Sequence, residues 1–175
     1  MAGEEYALIQ RYFQNLTAVR GDVALGIGDD AAVLNVPAGH ELVVSTDTLV
    51  VDVHFPAATP PADIGFKSLA VNLSDLAAMG AEPRWATLAL TLPAADHAFL
   101  EAFCLGFAES AHAHDVALVG GDLTRGPLSI TVQIMGTLPS GSALLRSGAR
   151  PGDQIWVTGE LGSAALGLAV IQGRH

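Results

Sequence analysis

Acidic side chains stand at the ends of apolar segments at four widely separated places in the chain. The four motifs are Gly26-Ile27-Gly28-Asp29-Asp30, Ser45-Thr46-Asp47-Thr48, Asn72-Leu73-Ser74-Asp75 and Gly120-Gly121-Asp122. Each carboxylate has glycine, a hydroxyl or an amide beside it. Oxygen ligands of this kind are the ones that Mg²⁺ prefers, and Mg²⁺ usually accompanies nucleotide phosphates. The pattern favours a fold that gathers these element ends into one metal-dependent, phosphate-handling site.

Composition limits the classes of partner. The chain has 175 residues, half of them hydrophobic, which suits one domain or one domain and part of another. Its net charge is -10, from 8 basic and 18 acidic residues, which argues against nucleic acid or an anionic membrane as a partner. Bound cations can reverse the local field, so an acidic site can still hold phosphate. No apolar run is long enough to cross a bilayer and no signal peptide is visible, so we expect a cytoplasmic protein.

The periodicity of apolar residues predicts helices and strands in a mixed order, which indicates an α+β or α/β class. The predicted helices are Glu5–Phe13, a long helix that opens at Pro60-Pro61-Ala62-Asp63 and runs to about Met79 with Gly80 as its cap, and a helix that starts at Pro93-Ala94-Ala95-Asp96 and ends near His114. The predicted strands are Ala31–Leu34, Glu41–Asp47, Trp85–Leu92, Val116–Asp122 and Leu128–Leu138, with Val50–Phe55 an edge strand or a loop.

The last residues suggest a second structural unit. Arg150–Asp153 has the composition of a turn, Gln154–Gly159 is predicted to be a strand, and Leu161–Ile171 is predicted to begin an apolar helix. We therefore predict an N-terminal metal- and nucleotide-binding and dimerisation domain at residues 1–150. Residues 151–175 would be the start of an incomplete C-terminal domain.

Two glycine-containing segments resemble phosphate-binding loops only weakly. Gly26-x-Gly28-x-x-Ala31 fits the loose dinucleotide pattern, but two adjacent aspartates would repel a pyrophosphate, and no clear strand precedes Gly26. Gly65-Phe66-Lys67-Ser68 lacks the glycine that a P-loop needs before its lysine. Lys67, the only lysine, is either a solvated helix residue or a phosphate contact.

Single residues leave alternatives open. Asp75 lies on an apolar helix with Asn72 on the same face, so it is either paired or metal-bound, or it faces solvent. Asp47 and Asp122 could each simply form a turn. His54 is either packed or contacts a ligand, and Arg146 is either an exposed cation or a phosphate contact. Cys104, the only cysteine, is predicted to be a buried structural thiol.

Several long motifs together resemble the thiamine-monophosphate kinase family, which belongs to the aminoimidazole ribonucleotide synthetase superfamily. The matching segments are 26–32, 45–50, 53–55, 67–81, 120–122 and 146–153, in the family's order and spacing. The resemblance implies an α+β fold with a mixed, mainly antiparallel sheet flanked by helices. It also implies a homodimer whose sheets pair into a shared barrel.

The same resemblance implies an activity and its site residues. The reaction is transfer of the ATP γ-phosphoryl group to thiamine monophosphate, giving thiamine diphosphate, with no protein nucleophile. Several Mg²⁺ ions would be held by Asp30, Ser45, Thr46, Asp47, Asp75 and Asp122. His54 would contact the substrate, and Gly121, Asp122 and Arg146 would contact ATP.

Two departures from the family pattern are visible. Val51-Asp52 stands where the family usually has an acidic residue and glycine, and family members carry a second domain after Ile155. We therefore expect little activity from these 175 residues alone. The alternatives are another ATP-dependent enzyme of the same superfamily, or a non-catalytic dimerisation or metal-binding module.

Overall fold

The computed structural model describes residues 2–157 and 159–174, which form two compact units that divide between Leu144 and Leu145. The helices of the first unit are α1 (Ala2–Leu8), continued by a π-helix at Ile9–Phe13, α2 (Pro61–Met79) and α3 (His97–Ala113). Its strands are β1 (Val23–Leu25), β2 (Val33–Leu34), β3 (His40–Val50), β4 (Glu82–Leu92), β5 (Ala117–Arg125) and β6 (Ser129–Pro139). The α+β class and the mixed sheet with flanking helices are therefore confirmed.

The main sheet has four strands in the order β3-β6-β4-β5. β6 pairs antiparallel with both β3 and β4, and β5 pairs parallel with β4. β3 and β5 are therefore the two edges of the sheet. The short strands β1 and β2 pair with each other in a separate two-stranded sheet.

One face of the main sheet carries the core of the first unit. Side chains alternate between faces along a strand, and Ile130, Val132 and Ile134 of β6 all point to the face on which α2 packs. α3 packs against α2 in turn, through glycines that bring the two backbones together. Cys104 of α3 is buried and unpaired, and burial raises the pKa of its thiol to about 12, so the prediction of an inert thiol is supported.

Within the described residues of the first unit, neither α2 nor α3 packs on the opposite face of the sheet. Leu42 and Val44 of β3 point to this face and are 47% and 48% exposed. Near the other edge, Trp85 lies on the same face and is fully buried under the hairpin of β1 and β2. The sheet therefore has one packed face and one partly open face, which we call the helix-free face.

Residues with known capping preferences explain where the two main helices begin and end. Pro61 occupies the first turn of α2, and Gly80 ends it in a left-handed conformation with a φ of 72°. Asp96 caps α3 by accepting hydrogen bonds from the backbone N–H groups of Ala98 and Phe99. Both predicted helices are confirmed, although α3 begins at His97, after the predicted start at Pro93–Asp96, because Asp96 takes the capping position.

The second unit contains a 3₁₀-helix at Arg146–Gly148 and α4 (Ser163–Ile171), which lies within the helix predicted there. The strand predicted at Gln154–Gly159 is wrong, because its described residues form no strand. A strand is defined by hydrogen bonds to a neighbour, and no strand pairs with this segment within the described residues. Thr158 lies outside the described residues.

The remaining differences from the predicted elements are local. β1 is absent from the prediction because three residues are too few to show a periodicity. Val50–Phe55 is mainly a turn, in agreement with the loop alternative, although Val51 and Phe55 form an isolated bridge. Among the described residues, no helix is both long and apolar enough to span a bilayer.

Candidate functional site

A row of polar contacts joins α2 to β3 and brings together four of the predicted site residues. The two elements run in opposite directions, so residues later in β3 meet residues earlier in α2. Ser45 Oγ donates to an Asp75 carboxylate oxygen at 2.6 Å, and the Asp47 N–H donates to Asn72 Oδ1 at 3.1 Å. Farther along, Lys67 Nζ donates to the His54 carbonyl oxygen at 2.6 Å. We call these three contacts the polar seam.

Alternation along β3 decides which side chains face the seam. Ser45, Asp47 and Leu49 point to the face that carries α2, whereas Thr46 and Thr48 point to the helix-free face. The Thr46 side chain therefore lies away from the carboxylates of Asp47 and Asp75. Within one protomer, the Thr46 side chain and the carboxylates of Asp47 and Asp75 would therefore bind metal ions at different positions.

Asn72 is the residue at the seam whose role the sequence did not reveal. It is fully buried, its Nδ2 donates to the Ser68 carbonyl oxygen at 2.9 Å, and its Oδ1 accepts from Asp47. This amide holds the β3 backbone beside α2 while Asp75, one turn later, stays exposed. The exposure of Asp75 agrees with the solvent-facing alternative, and its hydrogen bond to Ser45 shows that it is also paired.

The remaining acidic residues line a cleft at the other edge of the sheet. The cleft has a volume of about 510 Å³ and is formed by the Ile27–Ala32 segment, by β4 and β5, and by side chains from the N-terminal helices. Asp30, Gly121 and Asp122 all line it, together with apolar groups such as Phe13 and Leu90. A cleft with an apolar wall and three carboxylates, those of Asp29, Asp30 and Asp122, can accept a ligand with a flat apolar part and a metal-bound anionic part.

Gly121 allows the backbone of β5 to lie close to β4. Its φ is 151°, and a Cβ at this position would lie 1.8 Å from the carbonyl oxygen of Leu88. No other residue fits without moving the strand. The carboxylate of Asp122, the next residue, is thereby placed at the cleft.

The acidic residues of the polar seam and those of the cleft lie at opposite ends of one row of paired residues across the sheet. Asp47 is paired with Val132, Val132 with Leu88, and Leu88 with Gly121. Three strand spacings separate the ends, which is roughly 14 Å along the sheet. Accordingly, no three His, Cys, Asp or Glu side chains in the described part of the chain are close enough to hold a metal ion.

An ion network fixes the segment that leads into the cleft. Asp22 accepts from Arg20 and Arg84 at 3.0 Å each and from Trp85 Nε1 at 3.0 Å. The hydrogen bond from Arg20 is the main reason why the pKa of Asp22 is lowered to about 2. Asp22 immediately precedes β1, and β1 immediately precedes the loop that carries Asp29 and Asp30. The network therefore positions one wall of the cleft.

Arg146 belongs to the second unit, where it begins the 3₁₀-helix and is exposed. Its predicted contact with ATP stays a prediction. The ligand roles of the other predicted residues also stay predictions, because proximity alone assigns no ligand.

Comparison with known proteins relates this arrangement to a family. Residues 28–138 match the family described as AIR synthase related protein, N-terminal domain. The thiamine-monophosphate kinase of Escherichia coli K12 is 56% identical over 174 residues, which is 99% of this chain and 54% of that protein. The chain thus spans about half the length of the curated relatives it matches.

Solved structures show the same relationship as the sequence comparison. The crystal structure of thiamine-monophosphate kinase from Stenotrophomonas maltophilia K279a is 57% identical in sequence and superposes with a TM-score of 0.83. The match covers 89% of this chain and 49% of that one. A structure of AaThiL complexed with AMPPCP and TMP is 30% identical, with a TM-score of 0.73, over 79% of this chain and 45% of its own. The resemblance to thiamine-monophosphate kinases is confirmed, and the chain belongs to the AIR synthase related protein family, whose N-terminal domain it contains.

Proposed function

We propose that this chain serves the transfer of the γ-phosphoryl group of ATP to thiamine monophosphate, giving thiamine diphosphate. The observation that carries the proposal is the polar seam, which places Ser45, Asp47 and Asp75 together beside the His54 loop. A relative named for this activity is 56% identical over nearly the whole chain. A similar structure is described as complexed with AMPPCP and TMP.

The donor set fits Mg²⁺. The seam offers carboxylate and hydroxyl oxygens within a small space, and hard cations prefer such oxygens. We infer that Asp47, Asp75 and Ser45 hold Mg²⁺ at the seam, and that Asp30 and Asp122 do so in the cleft. When bound, the ions would neutralise charge between two anionic phosphates.

The chain's own residues then position the reactants. Phosphoryl transfer needs alignment and charge stabilisation more than covalent chemistry. The accepting phosphate is already ionised at neutral pH, so no protein nucleophile or general base is required. In our proposal Gly121 lets the backbone approach ATP closely, Arg146 contacts ATP, and His54 contacts the acceptor.

We further propose that the protein acts as a homodimer in which the helix-free faces of two sheets meet in a shared barrel. Leu42 and Val44 lie exposed on that face, and apolar residues there would be buried by a partner sheet. Closing two four-stranded sheets into a barrel places the edges of one beside the edges of the other. If β3 of one protomer meets β5 of its partner, Asp47 and Thr46 approach the partner's Asp122.

A chimera tests the activity. The 174 matched residues of the Escherichia coli enzyme are replaced by this chain, and the formation of thiamine diphosphate from ATP and thiamine monophosphate is followed. We expect activity in the chimera and a loss of at least about 100-fold on Asp75→Asn, because a metal ligand is removed. The matched control is Asp63→Asn, the same change at an exposed position in the first turn of α2. An active chimera that is indifferent to Asp75→Asn contradicts the proposed site.

Mixing two inactive variants of the chimera tests the shared site. If β3 and β5 of different protomers build one site, Asp75→Asn and Asp122→Asn subunits complement each other when mixed. About a quarter of the sites would then be intact, because half of the dimers are mixed and each has one undamaged site. Mixtures with no recovered activity contradict pairing of β3 with the partner's β5.

A further inference from the structure

The loop between β3 and α2 is closed by its own hydrogen bonds. Asp52 adopts a left-handed conformation with a φ of 61°, and its N–H donates to the Phe55 carbonyl oxygen at 2.8 Å. The Asp52 carboxylate accepts from the Ala57 N–H at 3.0 Å, and Phe55 is only 4% exposed. The loop is therefore anchored in the core at one end and tied to the start of the next segment.

The His54 ring is held in one orientation inside this loop. Its Nδ1 lies 3.0 Å from the backbone nitrogen of Val50. A backbone N–H can only donate, so Nδ1 must accept, and in the neutral ring the hydrogen is then on Nε2. His54 is exposed, and its Nε2 has no hydrogen-bond partner in the described part of the chain.

Lys67 fixes the backbone of the same residue. Its Nζ reaches from α2 to the His54 carbonyl oxygen at 2.6 Å. A hydrogen bond from a charged donor is stronger than one between neutral groups. Lys67 is also the only lysine of the chain, and Asp75 lies two turns later on the same side of α2. Its ammonium therefore links the loop to the helix that carries the predicted metal ligand.

We propose that Lys67 is a positioning residue that holds the Val51–Phe55 loop so that His54 presents an Nε2–H donor to an acceptor oxygen of a bound ligand. Resting on the proposed function, we take that oxygen to belong to the phosphate of the acceptor substrate. The ring therefore donates rather than accepts at its exposed nitrogen. This requirement selects a ligand with an exposed oxygen acceptor over one that presents only donors.

The test uses the free chain, without ATP or substrate, so that its result is independent of the kinase proposal. Two measurements are made at about pH 8, where an ordinary imidazole is neutral. The first is the ¹⁵N spectrum of the His54 ring, which distinguishes the two tautomers. The second is hydrogen exchange at the Val50 amide, with the Leu118 amide, bonded to Thr17 Oγ1, as an internal reference. The variants are Lys67→Met, Lys67→Arg and the charge-matched control Arg11→Met, whose guanidinium stacks over Tyr12.

We expect the wild-type ring to be the Nε2–H tautomer. Lys67→Met should average the ring signals and speed exchange at Val50 about tenfold, the effect of losing one charge-assisted hydrogen bond. Exchange at Leu118 should not change, which shows that the fold is intact, and Lys67→Arg should restore part of the protection. A wild-type ring with hydrogen on Nδ1, or Lys67→Met with unchanged Val50 exchange, overturns the inference. The same holds if Arg11→Met has an equal effect at Val50.

Discussion

At the scale of single residues, Asn72 is the side chain on which the polar seam depends. Its amide is fully buried, and both polar atoms are hydrogen-bonded. The oxygen accepts from the Asp47 N–H, and the nitrogen donates to the Ser68 carbonyl oxygen. Asn72→Leu keeps the size but leaves the Asp47 N–H without its acceptor. We expect a loss of about 1–3 kcal/mol in the free energy of unfolding, measured by urea denaturation. Asn15→Leu, the same change at an exposed position, should be neutral, and equal stabilities of the two variants would contradict the role of Asn72.

Asp22 gives a prediction about pH. The hydrogen bond from Arg20 lowers the pKa of this carboxyl from 3.8 to about 2. Because the folded pKa is the lower one, the ionised carboxyl contributes its full stability above the unfolded value. That contribution is lost as pH falls through the folded value. The difference in urea midpoint between wild type and Asp22→Asn should therefore be constant near pH 6 and narrow toward about pH 2.5. A difference that is the same at both pH values contradicts this assignment.

The sequence pointed to the acidic side chains of the candidate site but not to the residues that support them. Asp75 was recognisable because a carboxylate is costly on an apolar helix. Asn72 appeared only as its neighbour, and its contact with Asp47 crosses 25 residues of sequence. Asp22 looks like an ordinary turn residue, because its partners Arg84 and Trp85 are brought to it only by the fold. Contacts of this kind have no local signal.

At the scale of elements, the close packing of α2 on α3 depends on two glycines. A Cβ on Gly106 would lie 1.8 Å from the carbonyl oxygen of Ala62, and one on Gly65 would lie 2.1 Å from that of Phe103. Gly106→Ala should therefore lower the free energy of unfolding by about 1–3 kcal/mol, although alanine favours a helix. The control is Gly167→Ala in α4, where nothing lies near the added methyl group. An unaltered urea midpoint for Gly106→Ala would contradict the packing.

Elements with a strong local pattern were predicted well. The long helices carry clear apolar spacing, and α2 ends at the predicted Gly80 cap, so both were recognised. The segment at 154–159 has the β-branched and aromatic composition of a strand, but composition cannot supply a pairing partner. β1 and the π-helix at Ile9–Phe13 are too short for their geometry to be read from sequence.

At the scale of the whole molecule, the helix-free face of the sheet is the proposed dimer interface. Val44→Lys places a charge on this face and should shift the protein from dimer to monomer in light scattering, because burying an unpaired charge is costly. Val19→Lys is the control, since Val19 is 95% exposed and lies outside the sheet. A protein that stays dimeric with Lys at position 44 would contradict the barrel arrangement.

The separation of the two acidic groups is also a property of the whole molecule. From the sequence we expected one site, because all the carboxylates follow apolar segments. The strand order instead puts β3 and β5 at opposite edges, which no local pattern could have shown. Strand order arises from contacts between residues far apart in the chain, so sequence periodicity predicts the strands but not their neighbours.

Isothermal titration of the chain with ATP, in the presence and absence of Mg²⁺, tests the account most directly. We predict that ATP binds only with Mg²⁺, that Asp75→Asn abolishes binding, and that Asp63→Asn leaves it unchanged. This result would show that nucleotide binding depends on a metal ion held at the polar seam. Binding that needs no Mg²⁺, binding that survives Asp75→Asn, or no binding at all would contradict the account.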